Sequence, residues 1–253
     1  MPGFILAENL LESATVYSEA TLSGFPAANC VDGVTATKTG VTGDGTNQEI
    51  IFDLGTAQSV DTVAIYGQNL ESISSANITI AGSNTAGSGY FNMHNSWNIL
   101  SNEADYKEFT GSYSYRYIRI TINATGGSFY FSNIAVGTRL DLERSQKHGF
   151  IKPEFIDNDT LTANLTRGQN LTGITVNSGP KRARFDLFYY SESFFSTWPD
   201  IVAIMKQRPI YFLWDDNQKL FYCWPTKKMP QPAYAKNINN YYNVKLDMSG
   251  FIE

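Results

Sequence analysis

The chain has 253 residues, 42 % hydrophobic and 14 % aromatic, with 24 acidic against 19 basic side chains for a net charge of −5. This is enough chain for one large domain or two ordinary ones, and enough apolar content for a packed core, which excludes a disordered polypeptide. Residues 1–143 hold 14 acidic and 5 basic side chains (net −9), and residues 144–253 hold 10 and 14 (net +4). That change suggests a domain boundary near residue 143 and argues against nucleic acid as a partner of the first half. The two cysteines, Cys30 and Cys223, fall in different halves, so buried free thiols are expected and a disulfide framework is not. The start, MPGFILAENLL, lacks the positive region of a signal peptide, and no run approaches the ~20 apolar residues of a membrane span. Synthesis and folding in a cytoplasm are expected.

In the first half, a polar loop rich in Gly and Thr (AANCVDGVTATKTG, from Ala27) leads to a strand, Ile50–Leu54. After a short turn comes a second strand, Val60–Tyr66. Asn77–Ala81, Tyr117–Ile122 and Phe129–Val136 read the same way, mixing β-branched and aromatic residues with period-two alternation. Gly, Ser, Asn and Thr supply turn chemistry between them. Many short strands without a helical period indicate a sandwich or jelly roll. The charged segment Thr138–Pro153 reads as the connector, or equally as carrying a strand of either domain.

In the second half, Arg182–Tyr190 alternates as a strand. Ser196–Gln207 carries a helical signature, with Thr197 as N-cap, Pro199 in the first turn and Ile201, Val202 and Met205 on an apolar face. Ile210–Trp224 reads as a hairpin turning at Asp215–Asn217, and Tyr242–Met248 as a closing strand. Thirteen aromatics lie between Phe185 and Trp224; they fill a core between helix and sheet, or some of them reach a subunit interface. The expected fold is therefore mainly β: an N-terminal jelly-roll sandwich (1–138), then a β-sheet or sandwich domain (139–253) with one helix near 197–207.

No catalytic residues are assigned. His94 and His148 lie apart, and HExxH, GxSxG, Walker A and dinucleotide-binding fingerprints are all missing. Binding residues are easier to nominate. Gly87–Leu100, GSGYFNMHNSWNIL, reads as a loop between strands. Tyr90 and Trp97 there are candidate platforms for the apolar face of a sugar ring, with His94 and Asn95 as polar partners, or the aromatics tuck back as a hydrophobic lid on the sandwich. In NCVDGVTAT, Asp32 and Thr37 are hard oxygen donors suited to Ca²⁺, or part of an ordinary Asp-Gly turn.

Several segments occur in the order seen in discoidin-type, galactose-binding-like domains. They are NLL (Asn9–Leu11), PAANCVDGVTAT, IIFDLGTAQSVDTVAIYGQNL, YRYIRITI and FSNIAVG, and the first half resembles that family over roughly residues 9–137. The resemblance implies a jelly roll, a carbohydrate or other surface ligand held by loops at one end, and a structural Ca²⁺ at Asp32. The chain has Lys38-Thr39 where the family often has tryptophan, and Ser132–Asn133 where an acidic residue often completes the ion site.

The whole layout also resembles tail proteins of bacterial viruses, through VGTRLDLERSQKHGF, the aromatic hairpin PIYFLWDD…FYCW and the final strand YYNVKLDMSGF. This implies a distal-tail or baseplate component of the virion tail tip. It would assemble as a homo-oligomeric ring against tail tube and tail hub proteins, with the sandwich as an accessory module that meets a host-surface glycan. A stand-alone carbohydrate-binding or host-attachment module is the alternative, and a polysaccharide hydrolase a third.

Overall fold

The computed structural model describes residues 2–69, 73, 75–99, 101–146, 151, 160–165, 171–177, 180–215, 219–227, 231–234 and 240–251. Two antiparallel β units meet at a shared junction. The sandwich has a main sheet ordered β2 (Thr15–Glu19), β4 (Asp44–Tyr66), β7 (Asp105–Thr125), β5 (Ser75–Ser83), β6 (Phe91–Ile99), with β9 (Asn133–Gly137) also pairing on β4. A small sheet joins β3 (Thr39–Val41) to β8 (Phe129–Phe131). Alternation on β7 sends Ile118, Ile120 and Ile122 inward, where they pack with Ile50, Phe52, Ile78, Ile80 and Phe131.

The two expected strands around Gly55 are one long strand. Its pairing with β7 slips from Asp53↔Tyr117 to Gln58↔Tyr115, so the expected turn is taken up as a bulge. Gly55 sits there at φ +77, and Asp53 Oδ1 accepts its N–H at 2.8 Å. Glycine reaches that conformation without the Cβ clash that opposes it in other residues.

The second sheet is ordered β10 (Leu140–Asp141), β1 (Pro2–Leu6), β14 (Ile210–Asp215), β15 (Phe221–Pro225), β17 (Tyr241–Phe251), β13 (Lys181–Ser191), with the short β16 (Ala233–Tyr234) on β17. A separate hairpin joins β11 (Thr160–Leu165) to β12 (Leu171–Asn177). The first strand of the chain is thus part of the second sheet, pairing Phe4 with Leu213 and Asp141. The sheets therefore do not divide the chain at residue 138. Of the hairpin turn, residues 216–218 lie outside the described residues, as does His148.

The expected single helix is two: α1 (Glu192–Ser196) and α2 (Trp198–Met205), broken at Thr197. Ser191 caps α1, its Oγ accepting the N–H of Phe194 at 3.2 Å; Thr197 is the N-cap residue of α2 as expected, but its hydroxyl donates to the Phe194 carbonyl at 3.3 Å and makes no cap bond. Trp198, Ile201, Val202 and Met205 bury the helical face against Phe185, Leu187, Phe212 and Leu246.

Between the units, Phe4, Leu6, Ala64, Tyr66, Tyr211 and Tyr222 form a third buried cluster. Tyr66 stacks on Tyr222 at 4.9 Å, and Tyr211 donates its hydroxyl to Asn133 Oδ1 at 2.7 Å. Both cysteines are free and buried, and burial pushes the Cys30 thiol up to about 12. Among the described residues no helix is long and apolar enough to cross a membrane.

Candidate functional site

The sequence-derived sugar residues do not form one surface. Gly87–Leu100 is mostly strand β6, paired with β5 through Ile78↔Trp97 and Ile80↔His94. Trp97 is fully buried in the sandwich core, and its indole N–H donates to Asp105 Oδ2 at 2.8 Å. It cannot serve as a platform, because a sugar stacks on an accessible face. His94 is half-buried, and burial followed by the nearby Lys107 charge lowers its pKa. Asn95 is exposed.

The expected Ca²⁺ site is also not assembled. Asp32 Oδ1 accepts the Val34 N–H and Oδ2 the Thr37 hydroxyl, both at 2.7 Å, and Thr37 also reaches the Val34 carbonyl at 2.9 Å. This is a self-satisfied turn, with Gly33 at φ +73. Ca²⁺ takes six to eight oxygens, with several carboxylates for tight binding. Among the described residues no three His, Cys, Asp or Glu side chains gather as a metal site. The residues present do not fit the ion.

Of the nominated residues, Tyr90 does join a built surface. It sits half-buried beneath the Arg119 guanidinium, 4.4 Å from the ring centroid, and Arg119 pairs with Glu49 at 3.2 Å. Burial is the main cause of its raised pKa, opposed by the Arg119 charge and aided slightly by Tyr17 and Glu49. Tyr17 of β2 is 51 % exposed and meets Tyr117 of β7 edge to face at 5.6 Å. The Arg116 guanidinium lies 5.0 Å from the Tyr117 centroid and holds Asp53 through two hydrogen bonds of 2.7 and 2.8 Å. That pairing pushes the Asp53 carboxyl down to about 2 and raises the guanidinium. Arg119 Nε is buried and without a hydrogen-bond partner among the described residues.

The patch is set by strand alternation. In YRYIRI, Tyr117 and Arg119 face away from the core that receives Ile118 and Ile120. Register places Tyr117 beside Asp53 and Arg119 beside Ile51. The loop residue Asn84 accepts the Arg116 N–H at 3.0 Å, which ties the connection after β5 to the patch. The result is an exposed Tyr17 ring with fixed cations and carboxylates around it. Such a surface stacks C–H groups and exchanges hydrogen bonds with hydroxyls. Sequence reading nominated Tyr90 but missed Tyr17, Tyr117 and Arg119, although the alternation in YRYIRI was the available signal.

Residues 13–136 match the F5/8 type C domain. Among solved structures, the chain resembles chitosan-binding module 1 of a chitosanase/glucanase from Paenibacillus sp. IK-5. Identity there is 21 % and the TM-score 0.42, over 52 % of this chain and 99 % of that one. It also resembles CBM32-1 of a family 31 glycoside hydrolase from Clostridium perfringens, at 14 % identity and TM-score 0.44, over 52 % and 99 %. SpGH29 aligns at 18 % identity and TM-score 0.43 over 52 % of this chain, which spans only 28 % of the length of SpGH29. No curated protein matches the chain.

Proposed function

We propose that the chain is a carbohydrate-binding protein without catalytic activity, and that its sandwich holds a saccharide on the face formed by Tyr17, Tyr117, Arg116, Arg119 and Tyr90. The observation that carries this is the exposed Tyr17 ring packed on Tyr117 beside a guanidinium already locked to Asp53. Preorganised side chains of this kind lose little entropy on binding. A glycan array followed by titration of the best ligand tests it. Tyr17→Ala is expected to lower affinity about tenfold or more, the worth of one stacking contact, with an unchanged circular dichroism spectrum. Wild-type affinity in Tyr17→Ala, or binding to no glycan, removes the proposal.

A second reading is a structural component of a bacteriophage tail tip, ring-forming through the second sheet and carrying the sandwich as an accessory module. The observation in its favour is Tyr234, 71 % exposed and 4.6 Å from Tyr242, since exposed aromatics are enriched at interfaces. Light scattering of the purified chain, with cryo-electron microscopy of the parent particle, tests it. A monomer that is missing from virions removes it.

A further inference from the structure

The second sheet carries a cleft that the sandwich reading does not use. It has a volume of about 370 Å³ and is lined by Arg144, Ser145, Asp186, Phe188, Tyr189 and Asn243. We infer that this cleft is a separate saccharide site, taking one or two pyranose units.

The backbone is shaped around it. Pairing of β13 with β17 slips between Leu187↔Val244 and Tyr190↔Tyr242, so Phe188 and Tyr189 together face Asn243 alone. Such bulges re-aim side chains and recur beside binding sites. Tyr189 sits at φ +60, a conformation an L-residue with a Cβ adopts at an energetic cost. Asn243 Oδ1 accepts its N–H at 2.8 Å and holds it there. The consequence is an aromatic ring 44 % exposed at the cleft, where unbroken alternation would have continued the strand.

The polar groups are unfinished. Asp186 Oδ1 is buried and has no hydrogen-bond partner among the described residues, and the same holds for Nε2 of Gln146, whose Oε1 accepts the Asp186 N–H at 3.0 Å. An open carboxylate oxygen on a residue that lines the cleft calls for a donor there, and a sugar hydroxyl is one. With Tyr189 for the apolar ring face and the exposed Arg144 at the rim, the set matches a pyranose, and the volume lies in the small-ligand range.

The test is amide-resolved NMR of the ¹⁵N-labelled full chain. It is titrated with methyl β-galactoside, a glucosamine trisaccharide and a galacturonic acid trisaccharide, which are neutral, cationic and anionic in turn. At least one is expected to shift the amides of Asp186–Tyr190 and Asn243. Asp186→Asn is expected to weaken that response about tenfold or more, as loss of a hydrogen bond to a charged group does. Tyr189→Gly is the second variant. Glycine is at ease at this φ, so the fold is kept while the ring is lost. No shift at these amides with any probe up to about 10 mM overturns the inference, since weaker affinities are not specific sites. So does a response that both variants leave unchanged. Sandwich amides report on the other face independently, so the two proposals fail separately.

Discussion

Trp97 separates a core role from a binding role most cleanly. It is the sandwich's one tryptophan. It is fully buried, packs in the cluster with Ile78, Met93 and Ile99, and donates to Asp105 Oδ2. Asp105 also accepts the Tyr106 N–H through Oδ1 at 2.7 Å, so the carboxylate bridges two elements. Truncation to alanine removes a large buried side chain, worth about 3–5 kcal/mol. That is a sizeable fraction of the roughly 5–15 kcal/mol that holds a domain folded. With a urea slope of about 1–3 kcal/mol/M, the midpoint should fall by more than about 1 M. Trp97→Phe keeps most of the apolar surface and loses the donor to Asp105, which costs about 1–3 kcal/mol. Urea unfolding by circular dichroism, with glycan titration corrected for the folded fraction, is the assay. Both variants should be destabilised in that order, and their folded fractions should bind within about twofold of wild type, a difference under 0.5 kcal/mol. A Trp97→Ala protein with an unmoved midpoint and abolished binding would refute the buried placement and restore Trp97 as a platform.

Other consequences follow from the junction and the patch. Tyr211→Phe leaves the buried Asn133 oxygen without its hydroxyl donor, so stability should fall by about 1–3 kcal/mol; a melting temperature equal to wild type would show that the two units are not coupled there. Asp53, held at about 2 by Arg116, is below its usual value near 3.9, so its contribution to stability is complete above about pH 5 and disappears as pH falls through about 2. Carboxyl-detected NMR of Arg116→Gln should show the Asp53 midpoint rising toward 3.9, and an unmoved midpoint would mean that the ion pair does not form in solution. In Gly3→Ala, a new Cβ would overlap the Leu213 carbonyl on β14, so the first strand should detach from the second sheet, read as rapid hydrogen exchange at Phe4–Leu6. Continued protection there would contradict the pairing.

What the sequence revealed depended on whether the deciding contacts were local. The alternation in IIFDL, VAIY and YRYIRI identified strands because each records its own burial pattern. PGFIL is too short for its own pattern to mark it as a strand, and its partners are Tyr211–Asp215, some two hundred residues on. FNMHNSWNI looked like a loop because pairing irregularities near Ile80 break its alternation and polar residues occupy the outward positions. Thr197 caps α2 as its sequence suggests, but the short α1 that runs up to it from the Ser191 cap was hidden because Ser196–Gln207 satisfies helix rules without it.

Aromatic residues show where composition stops and geometry takes over. An indole or phenol is a core filler and a sugar platform by the same chemistry, and only accessibility separates the two uses. Trp97 found a buried acceptor in Asp105 and went inside; Tyr17 packs on Tyr117 and stays out. Between Phe185 and Trp224 ten of the thirteen aromatics are buried, which is the core reading. Phe188 and Tyr189 depart from it, and they do so where the strand bulges and its backbone adopts φ +60. A fold that needed only a core would have no use for that departure, because an unbroken β13 would pair residue for residue with β17. The strain at Tyr189 and the unpaired oxygen of Asp186 are separate costs met at one place, and a ligand that stacks on the ring and donates to the carboxylate offsets both.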